Sequence, residues 1–186
     1  MRPSRSLTRL AVPAFPDPYA PSTFANAHAG ECPGAVVGRS ASIESGQMSR
    51  AELLVDRDDV SVMLRHVPDE IPAIKRAWSE VEHALGSLRG RKFYGSFDTT
   101  TNQYAVCVVL REGDDPHALG LERGTLPGGK YVRVRLKGEP PAVYDLIPSM
   151  MQRLADRPDR DLTRPQLEYY RRRDEIDLLV PVLPSS

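Results

Sequence analysis

The sequence has few cysteines and no excess of charge of either sign. Cys32 and Cys107 lie far apart in the chain, so neither a disulfide framework nor a CxxC metal site is expected. Lys and Arg total 25, and Asp and Glu also total 25. No long-range field therefore steers the protein to nucleic acid or to an anionic membrane. We expect no direct nucleic-acid binding, and the cytoplasm is the simplest location.

Long apolar runs and metal-ligand clusters are also missing. No stretch of about 18 apolar residues could span a membrane, and prolines interrupt the N-terminus where a signal peptide would need an apolar segment. The histidines have no pairwise ligand spacing, and neither a nucleophile elbow nor a Cys/His pair is evident. We therefore predict no membrane span, no metal site and no cofactor.

The composition changes near residue 48. Residues 1–47 are rich in Pro, Ser, Ala and Gly and show neither helical nor strand periodicity, so they bury too little apolar surface to offset the entropy of ordering. We interpret them as a disordered tail, and Met48 as a candidate translation start. Residues 48–186 are predicted to form a single domain.

Hydrophobic periodicity within that domain repeats one order of elements. Each half reads as strand, amphipathic helix, strand, strand, and a Gly/Asp-rich connector at 113–120 separates the halves. The predicted strands span 60–67, 92–97, 104–110, 129–136, 166–171 and 176–182, and the predicted helices span 69–87 and about 143–154. This duplicated β-α-β-β pattern predicts an α+β fold: a mixed, mainly antiparallel sheet with both helices on one face. The other face would be solvated or would hold a ligand groove.

Three segments resemble the GyrI-like effector-binding domains. Residues 126–134, LPGGKYVRV, are similar to a strand of that family, and residues 165–170, PQLEYY, with 175–182, EIDLLVPV, are similar to its closing pair of strands. The resemblance covers roughly residues 51–182. It implies a duplicated domain that binds lipophilic, often cationic or planar, small molecules. The family includes effector domains of bacterial multidrug-responsive regulators, stand-alone binders, a gyrase-inhibiting protein and hydrolases of cyclopropane-bearing genotoxins.

The chain carries no predicted helix-turn-helix, so the resemblance favours a stand-alone domain that senses or sequesters a small molecule. A hydrolase of electrophilic, cyclopropane-bearing molecules is the first alternative, and a gyrase-modulating protein is the second. The sequence does not decide between binder and enzyme, and it identifies no protein partner.

Glu168 is the leading site residue because it aligns with the pocket glutamate of the family. Its neighbours Leu167 and Tyr169 should point to the opposite face of their strand. A partly buried carboxylate there would attract a ligand cation, or would act as the general base if the protein is an enzyme. The alternative is an ordinary exposed strand glutamate paired with an arginine.

Five aromatic residues are candidate ligand contacts. Tyr170 shares a strand face with Glu168 and could stack on a planar ligand. Tyr94 and Tyr104 could close the opposite wall or pack against the helices, since parity alone does not say which face each takes. Tyr131 matches the strand tyrosine of the family. Trp78 falls on the apolar stripe of the first helix, which favours a core role over a cation–π contact.

Overall fold

The computed structural model describes residues 51–184, which form eight strands and three helices. The strands are β1 (Leu53–Arg57), β2 (Val60–Pro68), β3 (Phe93–Asp98), β4 (Gln103–Val109), β5 (Glu122–Leu126), β6 (Gly129–Lys137), β7 (Gln166–Arg172) and β8 (Glu175–Pro181). The helices are α1 (Ile71–Leu85), α2 (Ala142–Asp145) and α3 (Ile147–Ala155). The predictions for residues 1–47 and for Met48 lie outside the described residues.

All eight strands form one antiparallel sheet in the order β1-β6-β8-β7-β3-β4-β2-β5. If the elements of the first half (β1 to β4) are exchanged for those of the second (β5 to β8), this order is simply reversed. The sheet therefore has a pseudo-two-fold axis between the central strands β3 and β7. The α+β class and the internal duplication are confirmed. The repeat also contains one more strand than predicted, because β1 and β5 each pair with the outer strand of the other half.

The helices form where apolar side chains recur at helical spacing. Ile74, Ala77, Trp78 and Val81 make the buried stripe of α1, and α3 buries Ile147, Met151 and Leu154 in the same way. Both helices begin with an Ile-Pro pair, and proline is well tolerated in a first helical turn because the amide hydrogen it lacks has no intrahelical acceptor there. The two helices cover one face of the sheet and enclose the larger apolar cluster.

The opposite face of the sheet is filled by its own side chains. Val62, Leu64, Tyr94, Ala105, Cys107, Leu126, Tyr131, Leu167 and Leu179 form a second buried cluster there. The sheet curls towards this face: three strands separate the edge strand β1 from the central strand β3, yet Arg57 of β1 donates a hydrogen bond to Tyr94 of β3 at 2.8 Å. This is where the structure departs from the expected layout: the curled sheet packs against itself on the face where we expected a groove, and the cavity described below lies on the helix face.

Two local features were not predicted from the sequence. Strand β5 (ERGTL) shows no apolar alternation and joins the sheet at its edge. The second helix is divided at Leu146 into α2 and α3. None of the helices within residues 51–184 is both long and apolar enough to cross a membrane.

Candidate functional site

A cavity of about 380 Å³ lies between the N-terminal turn of α1, one side of α3 along its whole length, and the sheet beneath them. Its volume falls in the usual range for small-molecule pockets. The apolar part of its wall is formed by Ile71, Ile74, Phe97, Tyr104, Ile147, Pro148, Met151 and Ala155, and the polar part by Asp69, Thr99, Gln152, Arg160, Gln166 and Glu168. Ile71 is 57% exposed, which is a high value for an isoleucine and leaves apolar surface at the mouth of the cavity.

Glu168 is a buried carboxylate on the sheet side of this cavity, with only 8% of its surface exposed. Its Oε2 accepts hydrogen bonds from the hydroxyls of Tyr104 and Tyr170, each at 2.8 Å. Burial raises the pKa of Glu168 above its ordinary value, against the two tyrosine hydrogen bonds that favour the ionised form, and the charge of Asp69 raises it further. Burial therefore favours the neutral form of Glu168, and a cation beside it would favour the ionised form.

Gly95 makes room for this arrangement. It pairs directly with Glu168 across β3 and β7. A Cβ atom added to Gly95 would lie 2.5 Å from Glu168 Oε2 and would collide with the hydroxyl of Tyr104. Because only glycine lacks a Cβ, the Tyr104–Glu168 hydrogen bond depends on glycine at position 95.

Tyr170 and Trp78 are buried beside the cavity rather than on its wall. Tyr170 is 4% exposed and Trp78 is 2% exposed, and their rings meet edge to face with centroids 5.0 Å apart. Trp78 also packs against Phe93 at 5.9 Å. Tyr170 thus reaches the site through its hydroxyl on Glu168, and Trp78 holds the tyrosine ring in place.

Tyr94 and Tyr131 lie on the opposite face of the sheet. Tyr94 stacks on Tyr169 with centroids 4.5 Å apart. Tyr131 donates its hydroxyl to the carbonyl of Pro127 at 2.7 Å and lies under the guanidinium of Arg164. Side chains alternate between the two faces along a strand, and both tyrosines point to the face that holds the second apolar cluster, to which they belong. The structure therefore brings Tyr104, and not Tyr94 or Tyr131, to the cavity with Glu168.

Several wall residues were not predicted as site residues from the sequence. Gln166 could have been found from strand alternation, since it lies two residues before Glu168 on the same strand face. The position of Asp69 just before α1 does not indicate a ligand contact, and Arg160 belongs to the irregular segment between α3 and β7, where no periodicity indicates which side chains meet the cavity.

The chemistry available at this site is recognition of a small, largely apolar molecule that carries a polar or charged group. The apolar wall supplies contact area, Glu168 supplies a buried carboxyl, and Asp69 supplies an acidic side chain that is exposed to solvent. Burial also raises the pKa of Asp69. Within the described part of the chain, no group of three or more His, Cys, Asp or Glu side chains could hold a metal ion.

Comparison with known proteins identifies the fold. No family model matches the sequence, and no curated protein matches it. An integron cassette protein from the mobile metagenome of Vibrio cholerae superposes with a TM-score of 0.54 at 19% identity, over 71% of this chain and 95% of its own. SAV2435, in its structure bound to tetraphenylphosphonium, superposes with a TM-score of 0.52 at 11% identity, over 72% of this chain and 94% of its own. The chain thus has the fold expected from its resemblance to GyrI-like effector-binding domains.

Proposed function

We propose that this protein is a stand-alone binder of lipophilic, cationic or planar small molecules, which it senses or sequesters. The observation that carries the proposal is the buried carboxylate of Glu168 on the wall of an otherwise largely apolar cavity. A lipophilic cation would meet both requirements of such a site, since its body replaces water on the apolar wall and its charge compensates the carboxylate. SAV2435, which has the same fold, is the protein seen with a lipophilic cation.

The two tyrosine hydrogen bonds support this role. Both hydroxyls donate to Oε2, so they fix the carboxylate before a ligand arrives, and within residues 51–184 no protein donor is described for Oε1. A ligand cation can therefore approach an oriented carboxylate without displacing a hydrogen bond, which is the advantage of a preorganised site.

The test is titration calorimetry with tetraphenylphosphonium, using the parent protein and Glu168→Gln. Glutamine keeps the size of the side chain and an oxygen that accepts from both tyrosines, and it removes only the charge. We expect affinity for the cation to fall by about ten- to a hundredfold, whereas affinity for the neutral triphenylphosphine oxide should change far less.

Glu112→Gln is the matched control, because Glu112 is exposed and does not line the cavity. It removes the same charge and should leave both affinities unchanged. The proposal is wrong if Glu168→Gln binds the cation as tightly as the parent protein does, or if Glu112→Gln weakens binding equally.

A hydrolytic activity is the second candidate, favoured by the convergence of a carboxyl of raised pKa and two phenol hydroxyls. Glu168 would take a proton from water, whose oxygen would add to a carbon of a cyclopropane ring. The carbon–carbon bond would break, with its electron pair passing to a conjugated acceptor on the substrate, and the proton held by Glu168 would then pass to that acceptor, so that one water is added overall. Mass spectrometry of an incubated cyclopropane-bearing electrophile should then show addition of one water by the parent protein and none by Glu168→Gln. An unchanged compound in both incubations excludes this activity for that compound and leaves binding as the function.

A further inference from the structure

Arg160 is a cation on the wall of the cavity that has no acidic partner within residues 51–184. No carboxylate oxygen of residues 51–184 lies within 4.0 Å of its guanidinium. One nitrogen, Nη2, donates to the hydroxyl of Thr99 at 3.1 Å. Its Nε is buried and has no acceptor in the described part of the chain. This Nε has almost no accessible surface, so a ligand in the cavity would meet the Nη nitrogens of Arg160, which carry the hydrogens of a cation that no carboxylate of the described residues compensates.

The charges on the cavity wall are separated instead of paired. Asp69 and Glu168 are both acidic, and Arg160 lines the same cavity, yet neither carboxylate forms an ion pair with the arginine. The wall consequently has an acidic part and a basic part. A simple lipophilic cation can use only the acidic part.

We propose that the cavity selects bipolar ligands, in which an apolar cationic group faces Glu168 and a hydrogen-bond acceptor, best a carboxylate, reaches Arg160. This inference rests on the proposed function and adds a specificity-determining residue to it. The guanidinium suits a carboxylate because its two Nη groups can donate to both oxygens of that group. The ligand would thereby supply a negative charge to an arginine that has no acidic partner within residues 51–184.

The test compares two phosphonium probes of nearly equal size by titration calorimetry. One is pentyltriphenylphosphonium, and the other is carboxybutyltriphenylphosphonium, whose chain ends in a carboxylate. The parent protein should bind the carboxylate probe about 5- to 20-fold more tightly, a modest factor because Arg160 is only partly buried. If the parent protein binds the carboxylate probe no more tightly than the pentyl probe, the inference is wrong.

Arg160→Gln tests whether Arg160 causes the tighter binding of the carboxylate probe. This change should bring the two probes to within about twofold of each other, and affinity for the pentyl probe should rise, because a positive charge that repels the phosphonium is removed. Arg160→Lys keeps the charge but lacks the planar pair of Nη donors, and it should retain only part of the preference. Arg123→Gln is the matched control, since Arg123 is exposed on the edge strand β5. A preference that survives Arg160→Gln, or that Arg123→Gln removes, overturns the assignment.

Failure of this inference can be told apart from failure of the proposed function. Binding of the pentyl probe tests the apolar wall and Glu168 alone. If that probe binds and weakens in Glu168→Gln while the carboxylate gives no advantage, the binder stands and the role of Arg160 is wrong. If neither probe binds, the proposed function and this inference are both wrong.

Discussion

Trp78 packs edge-on against Tyr170, with ring centroids 5.0 Å apart. The tryptophan belongs to the core and the tyrosine donates to the site carboxylate. The position of Glu168 therefore depends on how α1 packs against the sheet. A change at Trp78 should therefore affect stability first and ligand binding second.

Trp78→Ala should lower the free energy of unfolding by about 3–5 kcal/mol, because it removes a large buried ring and leaves a cavity. Trp78→Phe, which keeps an aromatic ring, should cost less. Urea unfolding followed by circular dichroism measures both. Unchanged stability together with lost ligand affinity would contradict the core role and would place the indole in contact with the ligand.

Gly95→Ala should destabilise the protein by about 1–3 kcal/mol and weaken ligand binding, because its Cβ would press on Glu168 and Tyr104. Gly124→Ala is a matched control in the edge strand β5. There the added Cβ would meet the end of the flexible Leu64 side chain at 2.6 Å, so the site should be unaffected. Thermal melts and titration with tetraphenylphosphonium check both variants. A Gly95→Ala variant that binds like the parent would show that the Tyr104–Glu168 contact is not needed.

The raised pKa of Glu168 gives stability a pH dependence of known sign. The folded state holds the proton more tightly than the unfolded state, whose carboxyl titrates near its ordinary value of 4.5. The contribution of Glu168 to stability is therefore fully present below that value and is lost as the pH rises through the folded pKa. The free energy of unfolding of the parent protein should consequently fall relative to that of Glu168→Gln as the pH rises. Urea unfolding of both proteins at a series of pH values measures the difference, and a rise in place of a fall would mean that the folded pKa is lowered.

Asp177 should show the opposite pH dependence. Its burial acts to raise the pKa, but hydrogen bonds from Arg135 at 2.6 Å and Arg171 at 3.2 Å outweigh burial and leave the pKa below its ordinary value of 3.8. The stabilisation is present above that value and is lost as the pH falls through the folded pKa. Asp177→Asn should therefore cost about 1–3 kcal/mol at neutral pH and much less in acid. Asp58→Asn, at an exposed position, should cost almost nothing at either pH.

The boundary of the folded unit can be tested by truncation. A variant that begins at Met48 should keep a cooperative thermal melt, because the composition of residues 1–47 does not favour packing. A variant that begins at Asp58 also loses β1, which pairs with β6 along its whole length, and it should melt at a lower temperature. If the first variant aggregates or loses its cooperative melt, part of residues 1–47 belongs to the folded unit.

The sequence predicted those parts of the structure that depend on local periodicity. Alternation placed Glu168 on one face of β7 and Leu167 on the other, and the structure has both in those positions. The stripe on α1 likewise predicted a buried Trp78. In each case a side-chain direction follows from spacing along a single element.

The rest depended on contacts between distant parts of the chain. Tyr94 and Tyr104 lie on different strands, so the faces they take depend on the register between β3 and β4 and on which face the helices cover, and the sequence shows neither. The curl of the sheet, which fills one face and leaves the cavity on the other, is a property of all eight strands together. Arg160 lies in an irregular segment, and the need for glycine at position 95 arises from side chains on two other strands.

The pseudo-two-fold axis of the sheet passes beside the site carboxylate. Counted along the strand registers, Gly95 of β3 and Glu168 of β7 occupy equivalent positions in the two halves, and they also pair directly with each other. A dimer of identical halves would place two glutamates there, facing one another in a buried space where like charges repel, or two glycines with no charge between them. Because both halves belong to one chain, this pair can hold glycine in β3 and glutamate in β7, and the single carboxylate at the axis needs that difference between the halves.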